Sequence, residues 1–115
     1  MIEMPLKIES TLNKREHWSQ RAKRAKLHRT VAYQVMKSAL PDGATMPCVV
    51  RLIRIAPREL DDDNLAGGCK ALRDGIADWF GIDDRDPRVR WQYAQAKGKP
   101  RQYAVGVEIQ PELPL

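Results

Sequence analysis

Glu59, Asp61, Asp62 and Asp63 place four of the chain's fifteen acidic side chains within five positions. A second acidic pair, Asp83-Asp84, begins twenty residues after Asp63. Like charges crowded at one point raise each other's pKa values and oppose folding unless something positive sits among them. Carboxylates are hard oxygen donors, so Mg2+ or Mn2+ suits such a set. The chemistry this offers is metal-assisted hydrolysis, in which a bound ion lowers the pKa of an attacking water and neutralises charge on a phosphoryl oxygen. A plainer alternative stands beside it. Asp-rich turns are common on surfaces, Asp63 or Asn64 can cap a helix, and Asp83-Asp84 can be a solvated loop.

The elements that must hold these residues are legible from periodicity. Cys48 to Ala56 is nearly continuous in apolar residues, broken by Arg51 and Arg54, and reads as a central strand covered on both faces. The acidic run lies just beyond its C-terminal end, where Asp61 and Asp63, at i and i+2, leave the same side of an extended backbone. Leu65, Cys69, Leu72, Ile76 and Trp79/Phe80 then recur at three and four residues, predicting an amphipathic helix closed by Gly81. On its other face lie Gly67, Lys70 and Asp74. That helix would be ~25 Å long, so Asp84 meets Asp61 and Asp63 only if it breaks early or the following chain folds back. Gly67-Gly68 costs a helix ~1 kcal/mol per glycine relative to alanine and asks for an explanation.

Around this centre, Ile2, Met4, Leu6 and Ile8 alternate with polar residues as an edge strand carrying Pro5. Ser10-Thr11-Leu12-Asn13 reads as a capping turn, and a long helix follows from Lys14 to Leu40. Trp18, Ala22, Ala25, Ala32, Met36 and Leu40 share its apolar stripe, Arg29 falls inside it, and Lys23, Lys26 and Lys37 face away. Val89–Tyr93 and Tyr103–Ile109 read as strands of a hairpin whose tip is Lys97-Gly98-Lys99-Pro100-Arg101. The expected fold is one α/β (α+β) domain over residues 1–115, in the order β-α-β-α-β-β, with a mixed sheet packed by two helices and a short Pro-rich tail.

The chain is 43% apolar, its length suits a single core, and no apolar stretch is long enough to span a bilayer. No export signal opens it, so the expectation is a cytoplasmic protein. Cys48 and Cys69 stand singly in apolar segments and read as reduced core thiols. His17 and His28 rank low as ligands, and no Ser/His/Asp, Walker-type or dinucleotide signature occurs, which argues against a nucleotide cofactor. The net charge is +5, yet Lys14 to Arg29 alone carries seven Lys/Arg against Glu16. A basic field around a concentrated acidic spot suits a polyanion drawn to a metal-loaded centre. Lys23, Arg24 and Lys26, with Lys97, Lys99 and Arg101, are the candidate phosphate contacts. Trp18, Trp79 and Trp91 read as core or interface rather than base-stacking platforms.

Leu60-Asp61-Asp62-Asp63-Asn64-Leu65, then Lys70, Asp74-Gly75 and Gly81-Ile82-Asp83-Asp84, resembles the RusA family of Holliday-junction resolvases, over roughly residues 47 to 109. Asn13 to Trp18 also resembles phage-type members. Lys70 follows Asn64 by six residues, nearly one helical turn beyond the family's better-known spacing. The resemblance implies a bacterial or phage-encoded homodimeric, Mg2+-dependent endonuclease that nicks four-way DNA junctions symmetrically. It assigns Asp61, Asp63 and Asp84 as metal-binding carboxylates, with Asp83 as the rival of Asp84, and Lys70 as the essential lysine. The competing expectation is a non-catalytic nucleic-acid-binding module whose acidic cluster is a structural or vestigial site.

Overall fold

The computed structural model describes residues 1–10 and 16–112. The Thr11-Leu12-Asn13 part of the expected turn, the expected helix start at Lys14 and the last residues of the Pro-rich tail lie outside them. Strand β2 (Cys48–Ala56) forms where the apolar run predicts it. It is one of two interior strands of a four-stranded sheet of order β1-β4-β2-β3, with β1 (Ile2–Met4), β3 (Val89–Lys97) and β4 (Ala104–Pro111). The domain is α+β with a mixed sheet, as expected. β1 lies at an edge, and the ladder stops before Pro5, which has no N–H to offer it. Leu6 and Ile8 keep the alternation beyond the strand and stay buried.

Two expectations about the sheet give way. β3 and β4 do not form a hairpin. β3 pairs parallel with β2 (Cys48 opposite Val89, Ala56 opposite Lys97), while β4 pairs antiparallel on the other side (Leu52 opposite Val107). The long connection from β2 makes a parallel β3 possible. The chain then steps over the end of β2, where the Gly98 N–H donates to the Ala56 carbonyl at 2.8 Å and Arg101 takes φ 64°. The more apolar strand thereby gains two partners instead of one. Nor is β2 covered on both faces. Cys48, Val50 and Leu52 are fully buried, whereas Val49, Ile53 and Ile55 are half-buried and Arg51 is exposed.

Three helices lie among the described residues, not two: α1 (Trp18–Ala39), α2 (Asp62–Gly68) and α3 (Lys70–Phe80). The expected second helix breaks at Cys69, directly after Gly67-Gly68. Gly68 has a packing reason, since a Cβ there would lie 2.7 Å from Ile8 Cγ2 and 3.0 Å from the Glu9 carbonyl oxygen. Gly81 closes α3 in the left-handed conformation at φ 75°, as the sequence predicts. α1 has 22 residues and its main partner α3 only 11, so α1 outruns its cover. Ala32 and Met36 are fully buried, but Trp18, Ala22 and Ala25 are exposed, Trp18 at 73%, contrary to the predicted stripe. Arg29 finds its partner on α3, donating to both carboxylate oxygens of Asp78 at 2.7 and 2.8 Å. The core is built from Met4, Ile8, Met36, Val50, Leu52, Leu72, Ile76 and Val107, between helices and sheet.

Candidate active site

Asp61 caps α2. Its Oδ1 accepts from the Asn64 backbone N–H and its Oδ2 from the Asn64 side-chain amide, both at 2.8 Å. The capping role expected of Asp63 or Asn64 falls to Asp61, and Asp62 and Asp63 occupy the first turn of the helix, where acidic residues favour the positive end of the dipole. Because α2 begins at Asp62, the extended-chain parity that put Asp61 and Asp63 on one side does not apply. All three aspartates are exposed, as is Glu59. Asn64 is buried, and its Oδ1 accepts from the Ser10 hydroxyl at 2.5 Å. Gly68 lets the segment through Ile8 and Glu9 lie close enough for that reach.

The approach to Asp61 is fixed from β3. The Gln95 side chain accepts from the Leu60 N–H at 2.9 Å and donates to the Leu60 carbonyl at 2.7 Å, as a neighbouring strand would. Buried Arg54 donates to the carbonyls of Ile8 (2.9 Å) and Arg58 (2.6 Å) and to Gln95 Oε1 (3.3 Å). It therefore ties the segment before Ser10 to the loop before Asp61. Burial lowers its pKa from the ordinary value.

Lys70, at the start of α3, gathers the other acidic residues. Its Nζ lies 2.8 Å from Asp74 Oδ1 and 2.6 Å from Asp84 Oδ2. Arg73, one turn on, donates to the Asp84 carbonyl at 2.8 Å and to the Tyr93 hydroxyl at 3.1 Å, and its guanidinium stacks on Trp91 at 4.9 Å. Arg73 Nε lies 3.3 Å from Asp84 Oδ2 without hydrogen-bond alignment, so that contact is Coulombic. Trp91 Nε1 also donates to the Asp84 carbonyl, at 3.0 Å. Hydrogen bonding from Lys70 holds the Asp84 carboxyl below the usual carboxylate range, and hydrogen bonding to Asp74 and then Asp84 raises the Lys70 ammonium. Asp83 is exposed and accepts from the Arg85 N–H at 2.9 Å.

The residues proposed to hold a metal thus fall into two groups. Both Asp61 oxygens are engaged by Asn64, and Asp84 is engaged by Lys70 and Arg73. Among the described residues no three His, Cys, Asp or Glu side chains converge in a way that could hold a metal ion. This arrangement does not fit a three-carboxylate site formed by Asp61, Asp63 and Asp84.

A cavity of about 260 Å3 lies between α1 and the α2–α3 junction, bordered by Arg21, Arg24, His28, Gly67, Lys70 and Asp74. Gly67 opens onto free space, so the close backbone approach expected there remains sterically available. His28 is buried, and burial followed by repulsion from Arg24 lowers its pKa. Of the candidate phosphate contacts, Lys23, Lys26, Lys97, Lys99 and Arg101 are exposed. Arg24 departs from the expectation, because both its terminal nitrogens donate to Glu16. Trp79 and Trp91 are half-buried against the core, and Cys48 and Cys69 are buried free thiols, with burial pushing Cys69 up to about 12.

Ser10, Arg54, Arg73 and Gln95 join the site from outside the set of residues expected from the sequence. Two had a signal: Arg73 follows Lys70 by three on one helix face, and Gln95 shares strand parity with Trp91 and Tyr93. Ser10 and Arg54 act across 54 and 46 residues of chain, a separation that no local pattern encodes.

No family model and no solved structure matches the chain. It is 39% identical over 82 residues to a protein of Xylella fastidiosa (strain Temecula1 / ATCC 700964) described as uncharacterized, covering 64% of this chain. The match spans 52% of that relative, about half its length. No helix among the described residues is long and apolar enough to cross a membrane.

Proposed function

We propose that this chain is a structure-selective DNA endonuclease of the RusA type, acting on four-way junctions as a homodimer. The observation that carries the reading is the Lys70 cluster. Lys70, Asp74 and Asp84, drawn from a helix and the loop beyond it, meet within hydrogen-bond distance in the order that the motif resemblance specifies. The exposed cations of α1 and of the 97–101 turn supply the field that draws a polyanion.

In this reading Lys70 supplies positive charge beside a reacting phosphate, and Arg73 and Trp91 hold the Asp84 backbone so that its carboxylate faces the lysine. Asn64 orients Asp61, and Gln95 fixes Leu60 in the loop from which Asp61 projects. The motif resemblance implies Mg2+, with Mn2+ as substitute, on Asp61, Asp63 and Asp84, but these carboxylates stand in two groups here and Lys70 already fills the place beside Asp84. Exchanging Asp63 for Asn tests the assignment: cleavage of a four-way junction is lost in Asp63→Asn, while DNA binding is kept or tightened because a repelling charge is gone. Undiminished cleavage by Asp63→Asn would falsify it.

One observation favours a second reading, a nucleic-acid-binding module without catalysis. Asp61 already serves as a helix cap and Asp84 is already neutralised by Lys70, so each has a structural use. That module predicts salt-sensitive binding with no nicking across Mg2+ and Mn2+ titrations.

A further inference from the structure

A second cavity, about 500 Å3, opens beside the Asp61 end of the molecule and is bordered by Lys7, Glu9, Ser10, Arg54, Arg58 and Tyr103. Three cations face one carboxylate, and that carboxylate, Glu9, lies 3.1 Å from Lys7 Nζ. The Lys7 ammonium sits 4.3 Å above the centre of the Tyr103 ring, which fixes where its charge points. Arg54 is 6% exposed and spends its bonds on the Ile8 and Arg58 carbonyls and on Gln95, so it supplies a positive charge that cannot swing away. The Arg58 guanidinium is exposed and makes no ion pair among the described residues.

Three features point to a phosphate on a chain rather than a lone anion. The cavity is open and shared between charged groups and an aromatic ring, the combination that tracks a nucleic-acid backbone beside its bases. Tyr103 follows directly on the turn that carries exposed Lys97, Lys99 and Arg101, which makes the basic surface continuous in sequence with the cavity wall. Ser10 belongs to the wall, and its hydroxyl reaches Asn64, which holds both oxygens of Asp61. Whatever occupies the cavity therefore bears on the residue that orients the first acidic group.

We propose that this cavity is a phosphate-binding subsite for one strand of a nucleic acid, seated between Lys7 and Arg58 and joined to Asp61 through Ser10 and Asn64. It rests on the nuclease reading for its biological use but not for its detection, because binding needs neither metal nor cleavage.

The test is titration of the full chain with a short oligothymidylate in EDTA, read as amide shifts and as the dependence of affinity on salt. Amides of Ser10, Arg58, Asn64 and Tyr103 shift, and Lys7→Ala and Arg58→Ala each lower the slope of log K against log[salt] by roughly 0.7, one single-strand phosphate contact. Both side chains reach solvent, so both variants keep the fold. An unchanged slope in both variants overturns the subsite, as does an equal drop in Lys37→Ala near the C-terminal end of α1. Equal binding of polyglutamate would also overturn it, since the cavity would then take any polyanion. A protein that binds the oligonucleotide here yet never nicks a junction keeps the subsite and loses the nuclease. One that nicks while these residues stay silent loses the subsite alone.

Discussion

With its ammonium within 2.8 Å of both Asp74 and Asp84, Lys70 occupies the place between two carboxylates where a cation is needed. The i, i+4 pairing with Asp74 follows from helix periodicity alone. Contact with Asp84 does not, because it depends on the Asp84 carbonyl being pinned by Arg73 and Trp91. Asp84's lowered pKa means that its contribution to stability is present above the ordinary 3.8 and is lost as pH falls through the lowered value. Lys70 has the opposite sign: its contribution is present below the ordinary 10.5 and is lost as pH rises through the raised value. Replacing Lys70 by Met is therefore expected to move the Asp84 carboxyl upward, toward the ordinary range. Carbon-detected NMR titration of the side chain measures this, and an unmoved value would mean that Lys70 is not its main partner. Of the site, the acidic run, Lys70 and the facing aspartates were legible from residue type and spacing. Ser10 and Arg54 were not, because each acts through contacts that exist only once the sheet has brought distant segments together.

At the scale of elements, the close crossing of α1 and α3 is set by Gly75. A Cβ there would overlap the Arg29 carbonyl oxygen and lie 2.9 Å from the Ala32 Cβ. Gly75→Ala must push two helices apart, at a cost of about 1–3 kcal/mol, the usual range for overpacking. Chemical denaturation should show that loss with little change in slope, and a variant as stable as the parent would contradict the crossing. The Arg29–Asp78 pair spans the same helices, but both side chains are solvent-exposed and such pairs contribute only roughly 0.2–1 kcal/mol. Element identity was largely legible: β2, the closure at Gly81 and the edge position of β1 all follow from composition and periodicity. Pairing was not. Alternation shows that β3 and β4 are strands but is silent on their neighbours, and β2 between them satisfies both better than a hairpin would. The break at Cys69 was signalled by Gly67-Gly68, yet what Gly68 accommodates, the Ile8–Glu9 backbone, is a tertiary fact.

Seen whole, the molecule stacks its helices on one face of the sheet, and α1 and the 97–101 turn each carry a group of exposed cations. The acidic cap of α2 and the Lys70 cluster, which begins at the α2–α3 break and closes on Asp84 beyond α3, stand apart as two groups. Cleavage is tested most directly by incubating purified protein with a four-way junction, a duplex and a single strand, with and without Mg2+. Paired nicks in the junction alone, dependent on Mg2+ and absent in Asp84→Asn, are the predicted result. Salt-sensitive binding to the junction with no nick at any Mg2+ or Mn2+ concentration would contradict it and leave a binding module in its place.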